Sequence, residues 1–218
     1  MTDEEFITAL RGVDSATVAN AIEALGVRDP AEGYADLRLR CLVTQPEPMV
    51  GYAVTVRVDS TTPGLSPDRS RLSGLIEAVS QAPKPCVIVC QEAGPSPERG
   101  CHMGDVVATM LARQGVVGAV SGSGIRDLAG VHEAGLTAFA LGTVVGRGPW
   151  TIIAVGTDVE VAGLRVRNGD LLHGNGDGLV SVPPGRPAEL LRHIAAVQAK
   201  ELNTKRRVSG DAESAYPR

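Results

Sequence analysis

The segment from Gly104 to Asp127, GDVVATMLARQGVVGAVSGSGIRD, places the tightest constraint on how this chain folds. Val106, Val107, Met110 and Leu111 recur at helical spacing, and Gly115 supplies a stop. Val116 to Val120 is short, apolar and β-branched, the pattern of a buried strand. Gly122, Ser123 and Gly124 break that strand just before Arg126 and Asp127. With a further strand expected at Cys86 to Cys90 (CVIVC), the segment completes a β-α-β unit. In such a unit the helix starts at the carboxyl edge of the strands, and the chain returns to that edge when the next strand ends. Asp105 at the helix start and Arg126-Asp127 after the strand, separated by residues 106–125, are therefore expected on one edge. There, helix-start N–H groups favour an anion, two carboxylates favour a divalent cation, and a guanidinium favours a carboxylate. The plainer reading makes Asp105 a helix N-cap and Arg126-Asp127 a turn with a solvated ion pair.

The rest of the chain supplies a frame for this unit. Asp14 or Ser15 begins a helix to Leu25, closed by Gly26, and residues 28–48 read as irregular. Val54, Val56 and Val58 alternate with other residues in a strand that opens at Gly51, and a helix is expected from about Asp68 to Gln81. The loop QEAGPSPERGCHM, Gln91 to Met103, leads into the candidate site and is expected to wall it, with Glu92, Glu98, Arg99 and His102 mainly solvated. Leu128 to Ala134 reads as a short helix and Leu136 to Leu141 as a strand, after which Arg147 lies in a loop that borders the same edge. From Trp150 to Val182 the pattern turns β-rich, with Asn168-Gly169 and Asp177-Gly178 as turns. A final helix from about Pro187 to Arg206 carries Leu191, Ile194, Val197 and Glu201.

Several classes of function are disfavoured. A net charge of −4 lacks the basic footprint of a nucleic-acid binder. No apolar run reaches the ~18 residues of a membrane span, and the acidic start MTDEEFITALRG is unlike a signal peptide, so a cytoplasmic protein is expected. Cys86 and Cys90 read as small core residues, and Cys101-His102 has no second cluster to complete a zinc set. The SGSG before Arg126 lacks the remainder of any phosphate-binding pattern. Nor does the Gly104 to Asp127 segment hold a lysine for a Schiff base, so a bound cation is the electrophile that this edge is expected to offer.

Asp105, twenty residues, then Arg126-Asp127 resembles the D-x20-R-D signature of the 4-hydroxy-4-methyl-2-oxoglutarate aldolase family, which includes the regulators of ribonuclease activity A. DSATVANAIEALG, MVGYAVTV, MGDVVAT, GAVSGSGIRD and GDLLHGNGDGLVSVP are similar to its blocks, in the same order, from about Asp14 to Pro183. The resemblance implies an α/β fold, a single-domain αββα swivelling sandwich with a β-rich C-terminal part and a C-terminal helix, over residues 1–208, followed by a tail over 209–218. It implies homotrimers or hexamers with sites between subunits. It also implies a class II pyruvate aldolase with accompanying oxaloacetate decarboxylase activity, using Mg²⁺ or Mn²⁺.

On that resemblance Asp127 holds the cation directly and Asp105 through waters, while Arg126 binds a substrate oxygen and stabilises the enolate. Gly104 and the N–H groups of Val106 and Val107 receive the substrate carboxylate, and Glu201 of a neighbouring subunit orients a water. Two positions depart from the family pattern: Asn175 stands within the GD-x5-D-x-DG block that holds Asp170 and Asp177, and Asn20 stands where relatives carry Asp. The alternative is a non-catalytic regulator that binds a ribonuclease or another protein. Members of that kind often lack the acid after the arginine, which this chain retains as Asp127.

Overall fold

Three successive β-α-β units organise the chain, and the computed structural model describes residues 1–68 and 71–209 of it. Two helices come first, α1 (Asp3–Arg11) and α2 (Ser15–Leu25), followed by the strands β1 (Arg40–Val43) and β2 (Met49–Asp59). The units then read α3 (Leu72–Gln81), β3 (Cys86–Glu92), β4 (Cys101–Met103), α4 (Asp105–Ala112), β5 (Val116–Ser121) and β6 (Gly124–Ile125). Next come α5 (Leu128–Glu133), β7 (Thr137–Ala140) and β8 (Gly142–Thr143). The β-rich part holds β9 (Thr151–Val155), β10 (Val159–Val161), β11 (Leu164–Val166), β12 (Leu171–Asn175) and β13 (Gly178–Val182), and α6 (Pro187–Val208) closes the described chain.

β2, β3, β5 and β7 pair in parallel, and β1, β9, β12 and β13 add antiparallel strands to give one sheet in the order β1-β7-β5-β3-β2-β12-β13, with β9 also on β2. The sheet rolls almost closed. Met49 of β2 fills the space that a side chain at Gly118 of β5 would need, and the Phe139 ring of β7 does the same at Gly174 of β12. Strands several places apart thus meet across the interior, where Val87, Val89, Val120, Phe139, Leu172 and Leu179 pack with the β10–β11 hairpin. Each such side chain contributes on the order of 1.5–3 kcal/mol relative to exposure.

The outer face is covered twice. Val54, Val56, Ile88 and Ala119 pack beneath α3, α4 and α5, while Val50, Leu171, Val180 and Val182 pack beneath α1, α2 and α6. Helices therefore flank two walls of one rolled sheet, the mixed α/β single-domain arrangement expected of an αββα sandwich. His173, fully buried under α2, lies 2.9 Å from Ser15 Oγ through Nδ1 and 3.0 Å from the Leu10 carbonyl through Nε2, so its polar atoms are satisfied where β12 meets the helices.

Local signals explain most boundaries. Asp14 caps α2 by accepting from Thr17 N, and Gly26 ends it at φ 63°. Cys86 and Cys90 are buried in the core as expected. Two readings are corrected. Residues 28–48 contain β1, an edge strand paired with β7, and α3 begins at Leu72. The expected tail lies, apart from Ser209, outside the described residues. Among the described residues no helix is long and apolar enough to cross a membrane.

Candidate active site

Above the carboxyl ends of the parallel strands sits a second, three-stranded sheet in the order β4-β6-β8. Its strands pair in parallel, Cys101 with Gly124 and Gly124 with Gly142, so the chain leaving each long strand is held beside its neighbours. Arg126 N donates to the Met103 carbonyl at 3.0 Å. That bond fixes Gly104-Asp105, which follows β4, against Arg126-Asp127, which follows β6. The edge expected from the β-α-β pattern is thus assembled by strands of two and three residues.

Gly104 is the N-cap of α4, and Asp105 is its first residue, which corrects the N-cap reading of Asp105. Asp105 is exposed, and its Oδ1 accepts from Val106 N at 2.7 Å. The side chain of Asp105 lies over the first turn of α5, where a Cβ at Gly130 would stand 2.4 Å from Asp105 Cβ. Asp127 caps that same helix at φ 56°, a left-handed conformation that Asp tolerates better than most residues. A Cβ at Gly104 would stand 2.9 Å from Asp127 Oδ2 and 3.3 Å from Arg126 Nε. The two carboxylates therefore flank one helix turn and one glycine. Arg126 Nε lies 3.3 Å from Asp127 Oδ2, a pair with both side chains partly exposed.

Gly104, Asp105 and Arg126 open onto a cavity of about 370 Å³, and Asp127 stands beside it, paired with Arg126. Gly104, Asp105, Val106, Val107, Arg126 and Arg147 are among its lining, with Leu72, Met110 and Trp150 as an apolar wall. Val106 is 76% exposed and so faces away from the core, whereas its neighbours Ala108 and Leu111 are buried. Its N–H is taken by Asp105, which leaves Val107 N–H as the helix-start donor for an incoming carboxylate.

No group of three or more His, Cys, Asp or Glu side chains that could hold a metal ion occurs among the described residues. Asp105 and Asp127 are the carboxylates that the two helix starts bring to this edge. That pair suits a hard cation such as Mg²⁺ or Mn²⁺ that completes its shell with waters and substrate oxygens.

Other expected residues lie elsewhere. Glu201 borders a separate surface hollow on α6, together with Asn20 and Lys200, and a single chain does not bring it to the Asp105 cavity. Asn175 and Asp177 bond to each other in the β12–β13 turn, while Asp170 accepts from Arg167 N at the far end of β12, so those three do not converge. Cys101 is buried with its thiol pushed up by burial, which makes it a poor nucleophile.

The expectation of a solvated loop at 91–103 holds for Glu98 and Arg99, both exposed, and fails for Glu92 and His102. Their side chains are 2% and 1% exposed, with His102 Nε2 and Glu92 Oε2 3.0 Å apart. Burial raises the Glu92 pKa, but hydrogen bonds from His102, from the hydroxyl and N–H of Ser60, and from Gly94 N–H outweigh it and hold the carboxyl at about 2. No motif marked the pair, because polar residues in a Gly- and Pro-rich stretch read as solvated.

Gly130 offers a test of this geometry. Gly130→Ala is expected to push Asp105 out of place, costing about 1–3 kcal/mol of stability by overpacking and lowering any activity of the site more than about tenfold. Gly74→Ala, on α3 with nothing within 4 Å, is the control and should leave both unchanged or slightly raise stability. Thermal melts and a turnover assay on the two variants check this.

Compared with known proteins, residues 15–181 match the family model described as RraA-like, Aldolase/RraA. A protein of Halalkalibacterium halodurans named "Putative 4-hydroxy-4-methyl-2-oxoglutarate aldolase" is 24% identical over 94% of this chain and 89% of its own length. Among solved structures, Streptomyces coelicolor RraAS2, called an unusual member of the RNase ES inhibitor RraA protein family, has a TM-score of 0.74 at 23% identity, over 94% of this chain and 98% of its own. The RNA-processing inhibitor RraA from Thermus thermophilis has a TM-score of 0.57 at 17% identity, over 75% and 94%.

Proposed function

Because the chain belongs to the RraA-like family, and because its fold brings Asp105 and Arg126 to one cavity with Asp127 paired to Arg126 beside it, we propose that it is a divalent-metal-dependent carbon–carbon lyase. Its substrate is 4-hydroxy-4-methyl-2-oxoglutarate or a related 4-hydroxy-2-oxo acid, cleaved to pyruvate, and it decarboxylates oxaloacetate at the same site. The observation that carries the reading is the pairing of the Arg126 guanidinium with the partly exposed Asp127 carboxylate, in a cavity that Arg126 lines together with Asp105 at a helix start. Asp127, and Asp105 through waters, would hold the cation, which would supply Lewis-acid polarisation of the substrate's 2-oxo group.

The chain's own groups do the remaining work. Val107 N–H and the start of α4 receive the substrate carboxylate. Arg126 binds the 2-oxo oxygen, where negative charge grows as the C3–C4 bond breaks. Asp105, acting through a water, accepts the proton of the C4 hydroxyl as C4 becomes a carbonyl. The electron pair of the broken bond passes to the enolate of pyruvate, and protonation at C3 completes the product. Oxaloacetate loses CO₂ through the same enolate, which is why the two activities belong together. Arg147, exposed at the cavity mouth, is placed for the far end of the substrate. Glu201 enters a site only from a neighbouring subunit, in a trimer or hexamer.

The test is aldol cleavage itself: 4-hydroxy-4-methyl-2-oxoglutarate with Mg²⁺ should yield two pyruvates per substrate, and no yield with Mg²⁺ or Mn²⁺ supplied would exclude it as the substrate. The second reading, a regulator that binds a ribonuclease, is supported by the name of the Streptomyces coelicolor relative. It predicts partner binding that survives loss of Asp127.

A further inference from the structure

Glu92 and His102 lie directly beneath the candidate site, yet neither is used in the chemistry above. Glu92 ends β3, where its Oε1 accepts from Ser60 N at 2.9 Å and Gly94 N at 2.8 Å, and its Oε2 accepts from the Ser60 hydroxyl. Ser60 Oγ in turn accepts from Cys101 N at 3.1 Å. His102 is the central residue of β4, between the Glu92 carboxylate at 3.0 Å and Ser121 Oγ at 2.9 Å. Ser121 ends β5, where its Oγ accepts from Ser123 N and lies 3.3 Å from the Gly124 carbonyl it donates to. The network thus joins the ends of β2, β3 and β5 to β4 and β6, the two strands that deliver Asp105 and Arg126-Asp127. Its packing leaves no slack: a Cβ at Gly100 would stand about 2.5 Å from Glu92 Oε2 and closer still to the hydroxyls of Ser60 and Ser123.

Ser121, His102 and Glu92 are in the order of a nucleophile, base and acid, but Ser121 is 1% exposed and its hydroxyl is already engaged on both sides. Covalent catalysis through it is closed off. The backbone of His102, by contrast, reaches the cavity, where its carbonyl accepts from Trp150 Nε1 at 3.3 Å. The same residue therefore ties the cation-binding edge to the apolar wall.

We infer that the buried Glu92–His102–Ser121 network is a positioning device. It sets the register of β4 against β6, and so the placement of Asp105 relative to Arg126-Asp127 and of Trp150 against both. This rests on the lyase reading above. Asp and Arg groups that must be held within a fraction of an ångström need locked supports, and a buried hydrogen-bonded network is rigid in the way that a loop is not.

The experiment compares the wild type with Glu92→Gln, His102→Gln, the double variant and the milder Ser121→Ala, in oxaloacetate decarboxylation with saturating Mg²⁺. Each of the first two should lose about 10–100-fold in kcat, as supports of a metal site do, with KM changed less than about threefold. The double variant should lose no more than the worse single one, because the pair acts as a unit. Trp150, the one tryptophan of the chain, gives a readout independent of turnover: its emission should shift in both single variants without substrate. Should either buried variant fail to fold, Ser121→Ala carries the test, with an expected kcat loss of several-fold at unchanged KM. Folded variants with wild-type kcat and emission would overturn the inference while leaving the lyase intact, and so would losses that follow thermal stability alone. A wild type without turnover overturns the lyase reading and this inference with it.

Discussion

Arg126→Ala is expected to lower kcat/KM for pyruvate release by about 10²–10³-fold, the cost of removing one preorganised donor from a developing oxyanion. The reasoning is geometric. Arg126 is the strand-end cation that lines the cavity beside Asp105, its main chain is anchored by the bond from Arg126 N to the Met103 carbonyl, and its Nε rests on Asp127. Only its guanidinium is free to follow the charge that moves onto the 2-oxo oxygen. Arg126→Lys keeps a charge but loses the planar fork, so it should recover part of the loss in KM and little in kcat. Equal losses from both would say that geometry carries the whole effect, and no loss from Ala would remove Arg126 from the chemistry. Stability should change little, because the side chain is about a third exposed and its pair with Asp127 is of the surface kind.

The second large effect is expected at Asp127. Removing its carboxylate should weaken Mn²⁺ binding, followed by electron paramagnetic resonance or calorimetry, by at least about 100-fold, since a two-carboxylate site has no ligand in reserve. Asp127→Asn is the cleaner variant. Asn tolerates the left-handed backbone at φ 56°, whereas alanine adds strain there. Turnover with saturating Mg²⁺ should fall with the affinity. Asp105→Asn should weaken the cation less than Asp127→Asn, because Asp105 Oδ1 is partly engaged by Val106 N–H and acts through waters. A reversed order of the two variants would exchange their roles, and unchanged Mn²⁺ binding in both would remove the cation site.

Much of this was legible in the sequence, for identifiable reasons. Helical and alternating periodicities are local, so α4, β3 and β5 stand within a residue or two of where the pattern puts them. That Asp105 and Arg126-Asp127 share one edge of the sheet follows from the β-α-β rule, which does not by itself bring their side chains together. What escaped was non-local. β6 and β8 have two residues each and carry no period, yet they hold the site's register. Whether Glu92 and His102 are solvated or buried depends on Ser60 and Ser121, which arrive from other strands. The roll of the sheet depends on Met49 against Gly118 and Phe139 against Gly174, pairs far apart in sequence. Val106, counted with the apolar stripe, proved exposed because its position at the helix start puts it at the cavity edge.

The most direct test of the central claim is pyruvate release from oxaloacetate by wild-type protein stripped with EDTA, then resupplied with Mg²⁺, beside folded Arg126→Ala and Asp127→Asn variants. The account predicts turnover above the metal-only background that disappears with EDTA, returns with Mg²⁺, and is lost in both variants. Absence of turnover in the Mg²⁺-loaded wild type, or turnover that survives in both variants, would contradict it.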